Sequence, residues 1–81
     1  MNALSEHFQK IIDVANELQR RGKTGASTSE IIAAAFVLNR QDLLPSGYED
    51  MIAAWDRLGV DWQRYVRIIK RHYWHLIEEA R

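Results

Sequence analysis

Residues 27–38 read Ser27-Thr28-Ser29-Glu30-Ile31-Ile32-Ala33-Ala34-Ala35-Phe36-Val37-Leu38, and this stretch decides the fold. Ser27 and Glu30 have capping-box spacing. The hydroxyl of the first accepts from the backbone amide of the second, whose carboxylate reaches back to the amide of Ser27. The helix opened this way is apolar around most of its circumference, so it belongs at the centre of a domain. Its three consecutive alanines let neighbouring backbones come close. A helix buried on all sides needs other helices around it, and the rest of the chain supplies them.

Upstream, Leu4, Phe8, Ile11, Ile12, Ala15 and Leu18 recur at steps of three and four, giving one apolar stripe that Gly22 ends. Downstream, Pro45 disfavours helix at Leu44, and Ser46-Gly47-Tyr48-Glu49 has the spacing of a second capping box. Tyr48, Met51, Ile52, Trp55 and Leu58 then form a stripe that Gly59 stops. Asp61 caps the last segment, whose inward face is Trp62, Tyr65, Val66, Ile69, Tyr73, Leu76, Ile77 and Ala80. No segment alternates with period two. The sequence therefore predicts a single all-α domain over residues 1–81, a compact four-helix bundle with helices at 3–21, 28–39, 47–58 and 61–80.

At 81 residues there is room for one core. The chain is 47% hydrophobic and 27% charged, the composition of a folded domain. It holds no cysteine, which excludes disulfides, thiolate metal sites and cysteine nucleophiles and suits a reducing compartment. No apolar run approaches the roughly 20 residues that cross a bilayer, and Met1 to His7 lacks the pattern of a signal peptide. No membrane association is expected, and the cytoplasm is the expected location. Eleven basic and eleven acidic residues cancel, which argues against a surface built entirely for nucleic acid. The charge is uneven, however: Arg57 to His75 holds five basic residues against one acidic.

Catalytic and metal chemistry find little support. Gly22-Lys23-Thr24 looks like the end of a phosphate loop, but Glu17 stands where that loop needs glycine and the preceding segment is helical. His72, His75 and Glu79 are spaced to share a metal on one helix face, yet no Glu-x-x-His motif accompanies them. Ser5, Ser27, Ser29 and Ser46 are helix-start residues, and no nucleophile elbow would pair one of them with His7. Asp42, Glu49 and Asp50 read as solvated or capping carboxylates. The expectation is a protein that is not an enzyme and carries no cofactor or metal.

Two features hint at binding. Leu58-Gly59-Val60-Asp61 resembles the turn of a helix-turn-helix motif, which would aim Gln63, Arg64, Arg67 and Arg71 at a DNA major groove. Trp55 departs from that pattern, since a small residue four before the glycine lets the two helices cross closely. Trp74 falls roughly 60° outside the apolar arc of the last helix, beside Arg67 and Lys70. Tryptophan and arginine together are the composition of interface hot spots. Arg67, Lys70, Arg71 and Trp74 thus form the candidate contact surface for a protein partner.

Val14-Ala15-Asn16-Glu17-Leu18, taken with Ile31 to Asn39, resembles a family of small, uncharacterised bacterial and phage helical proteins. The likeness spans the first half of the chain. It implies a bacterial or phage origin and no activity. The whole reading is a non-enzymatic helical module that binds a protein, self-association into a homo-oligomer included. The alternative is a small helix-turn-helix regulator that binds nucleic acid through residues 61–80.

Overall fold

The computed structural model describes residues 5–78. It contains three α-helices, α1 (Glu6–Arg21), α2 (Thr28–Leu38) and α3 (Met51–His72), with short 3-10 turns at Gln41–Leu43 and Trp74–Leu76. No strand occurs among the described residues. The all-α prediction stands; the four-helix bundle does not. The predicted third and fourth helices are one helix, α3, with a kink at Gly59.

The kink is a single residue. Gly59 has φ 83° and ψ 169°, outside the helical region, and the helix resumes at Val60. A glycine followed by a capping aspartate reads in sequence as stop, loop and restart. Here the stop and the restart share one residue, so no loop separates the two segments. The Gln63 side chain reaches back across the break and donates to the Trp55 carbonyl at 2.7 Å. That bond ties the second half of α3 to the end of the first.

The other helix boundaries also have local causes. Ser5 Oγ accepts from the His7 amide at the start of α1, and residues 3 and 4 of the predicted first helix lie outside the described residues. Ser27 and Glu30 form the predicted capping box, with both reciprocal bonds present. The second predicted box is not formed. Glu49 accepts instead from the Gly47 amide, and Asp50 caps α3 by accepting from Ile52 and Ala53, so the helix starts at 51 rather than 47.

The last helix was expected to continue to residue 80, and it ends at His72. Tyr73 leaves the helical region (φ −124°, ψ 17°) and the chain turns back over α1. There the Asn16 carboxamide donates to Leu76 O (3.1 Å) and accepts from the Glu78 amide (2.8 Å). Gln19 donates to Glu78 O, and Arg20 pairs with the Glu78 carboxylate. Ile77 is buried by this docking while Leu76 stays exposed. Ala80 of the predicted inward face lies outside the described residues.

α2 is the buried centre that its sequence predicts. Ile32, Ala33, Ala34, Ala35 and Val37 are all buried, and α1 and α3 pack on either side through Ile11, Ile12, Val14, Ala15, Leu18, Ala54, Leu58, Val66 and Ile69. Full burial of a large aliphatic side chain contributes about 1.5–3 kcal/mol, and Ile11, Ile12, Ile32, Val37 and Ile69 are the largest such chains. One stripe is misread at the start of α3. Ala54 takes the inward position, while Met51 and Ile52 are exposed, Ile52 by 76%. Stepping back from Leu58 at 100° per residue, Ile52 lies roughly 120° away from the core direction.

Candidate functional site

The carboxyl end of α2 and the second half of α3 form an open groove of about 340 Å³, lined by Phe36, Asn39, Trp55, Val66, Arg67 and Lys70. Its floor is apolar. Phe36 and Trp55 meet edge to face at 4.9 Å between centroids, and the Arg67 guanidinium lies 5.4 Å from the Trp55 ring. A cation over an exposed indole contributes about 0.5–1 kcal/mol. The ring is thereby held as one lip of the groove.

Lys70 forms the other charged wall, and its ammonium is committed. It donates to Phe36 O (3.2 Å), Val37 O (3.4 Å) and Asn39 Oδ1 (2.7 Å). α2 closes at Asn39 in the left-handed conformation, with Asn39 N donating to Phe36 O and Arg40 N to Ala35 O. The last turn of α2 carries no basic residue of its own. Lys70 supplies that charge from α3, where the partial negative end of the helix favours it. Burial pushes its pKa below the usual lysine value.

The four residues expected to form one contact surface are therefore divided. Arg67 and Lys70 share the groove; Arg71 is exposed one turn further on. Trp74 is 49% exposed, but it begins the 3-10 turn after the helix, so the helical register that tied it to Lys70 is broken at Tyr73. Of the residues in the DNA-binding alternative, Arg64, Arg67 and Arg71 are exposed, while Gln63 is turned inward to the Trp55 carbonyl. Among the described residues the ion pairs are Arg20–Glu78, Arg21–Glu17 and Arg40–Asp42. The three arginines at positions 64, 67 and 71 enter none of them.

A second depression, of about 410 Å³, is lined by His7, Leu58, Gly59, Val60, Asp61, Trp62 and Tyr65. His7 stacks on Tyr65 at 5.0 Å and meets Trp62 edge to face. His72 ends α3 and His75 lies in the following turn, so the two do not share a helix face; Glu79 lies outside the described residues. Among the described residues no three His, Cys, Asp or Glu side chains are gathered as a metal ion requires. In the same set no helix is long and apolar enough to cross a membrane.

Sequence reasoning did not single out Phe36, Trp55, Ile52 or Asp56 as surface residues. Phe36 and Trp55 sit at the edges of apolar stripes, where periodicity assigns them to the core. The signal that could have exposed Ile52 is the run Ile52-Ala53-Ala54, in which only one of the three can face inward at this register. Compared with protein-family models, curated proteins and solved structures, the chain matches none.

Proposed function

We propose that this protein is a non-enzymatic binding module of the cytoplasm that holds a protein partner on the exposed face of α3. The observation that carries the reading is the row Arg64, Arg67 and Arg71, free of carboxylate partners among the described residues, beside an apolar groove with a tryptophan lip. Unpaired guanidinium groups next to aromatic surface are the residue types that dominate interface energies. Three arginines that serve no ion pair among the described residues leave a surface complementary to an acidic partner.

Capture from lysate with the immobilised chain tests this, run beside a chain carrying Arg64→Glu and Arg67→Glu. A protein retained by the first and lost by the second is the expected result. Equal recovery by both overturns the reading. Circular dichroism of the charge-reversed chain controls for folding.

The kink at Gly59 favours a second reading, a helix-turn-helix contact to DNA through the same arginines. Against it, Gln63 is occupied with the Trp55 carbonyl rather than free to read a base edge. Its signature is a duplex gel shift that weakens steeply between low and moderate salt, as counterion release requires.

A further inference from the structure

The groove lined by Phe36 and Trp55 asks for a particular occupant. Its apolar floor suits one aliphatic side chain. Arg67, at its lip and unpaired among the described residues, calls for a carboxylate close to that side chain. The first half of α3 presents this combination on its outer surface. Ile52 is 76% exposed, more than any other large apolar side chain described. Asp56 follows four residues later, one helical turn along the same flank, exposed and without a cation partner among the described residues.

The placement of the two features on one molecule is as informative as their chemistry. Stepping at 100° per residue from Leu58 in the core, Trp55 lies roughly 60° away, Ile52 roughly 120° and Asp56 roughly 160°, all in one direction. The groove lip, the apolar knob and the carboxylate therefore succeed one another around a single side of α3. A patch that carries both a socket and its plug side by side is self-complementary, the condition for a two-fold contact between identical chains.

We propose that the occupant is a second copy of this chain: Ile52 of each copy enters the Phe36–Trp55–Arg67 groove of the other, and Asp56 of each pairs with Arg67 of the other. The proposal rests on the protein-binding reading above and names its partner. The pairing has no covalent step and needs no ligand. Ile52 loses its exposure, and the dimer gains two new ion pairs, one from the Asp56 of each copy.

Sedimentation equilibrium on the full chain, from micromolar to millimolar concentration, tests it. The wild-type chain is expected to form a dimer. Asp56→Arg and Arg67→Glu are each expected to weaken it at least tenfold, because each places two like charges opposite each other. The chain carrying both reversals restores opposite charges at both contacts and should dimerise again. Ile52→Glu, at a solvent-exposed position that folding does not require, should be monomeric with an unchanged circular dichroism spectrum. A wild-type chain that stays monomeric at millimolar concentration overturns self-pairing, and arginine-dependent capture of another protein still stands on its own result. Folded single variants that dimerise like wild type, or a folded double reversal that fails to recover, also overturn it.

Discussion

Lys70 shows how a residue that looks like surface charge in the sequence can hold two helices together. Its place among Arg67, Arg71 and Trp74 suggests a ligand contact, whereas its three hydrogen bonds all go to the end of α2. Nothing in the sequence marks this, because the acceptors, two backbone oxygens and the Asn39 carboxamide, all lie more than 30 residues away. Lys70→Met keeps the aliphatic stem and removes the ammonium. Loss of its three bonds to the end of α2 should cost about 1–2 kcal/mol in urea unfolding. The pH dependence has a definite sign. Burial lowers the folded-state pKa of Lys70, so in the alkaline interval below the unfolded-state value the unfolded chain binds the proton more strongly. The contribution of this group to stability therefore rises with pH across that interval. Subtracting the Lys70→Met stability curve from that of the wild type isolates it, and a difference that falls with pH there contradicts the assignment.

At the scale of elements, Gly59 governs the shape of the functional face. Its backbone, at φ 83° and ψ 169°, occupies a region essentially confined to glycine, and a Cβ there would meet no atom within 4 Å. Any penalty of substitution is therefore backbone strain rather than collision. Gly59→Ala should destabilise by about 1–3 kcal/mol, while D-alanine at the same position, in chemically synthesised chain, should restore stability because the mirrored angles are ordinary for it. Equal effects of the two alanines would place the cost elsewhere. The same residue marks what was legible in the sequence. The buried α2, its capping box and the apolar stripe of α1 follow from periods and caps that are local. The number of helices does not, because Gly-Val-Asp serves equally for a loop between two helices and for a one-residue kink inside one. Ile52 was misplaced for a related reason: the helix starts at 51, four residues after the expected start at 47, and Ala54 takes the inward position.

For the whole molecule, the question is what the last turn of chain contributes to a fold whose core is α2. Ile77 is buried against the rest of the core, but the segment is no longer α-helical, and beyond the bonds of its own 3-10 turn the Leu76 carbonyl and the Glu78 amide rely on Asn16 of α1. Asn16 satisfies a donor and an acceptor of that segment with one carboxamide, a long-range pairing that period and composition cannot reveal. If the tail docks as an independent unit, weakening it should open residues 74–78 and leave the centre closed. Asn16→Ala removes two bonds of about 0.5–1.5 kcal/mol each, so the Glu78 amide, which bonds to Asn16 Oδ1, should exchange roughly tenfold faster or more. Amides of Ile32 to Val37 should change much less. If those central amides accelerate by the same factor, the tail folds cooperatively with α2, and the molecule has one unfolding unit rather than a core with a docked strap. Either way the arginine row of α3 keeps its geometry, since it is set by Gly59, Gln63 and Lys70 and not by the tail.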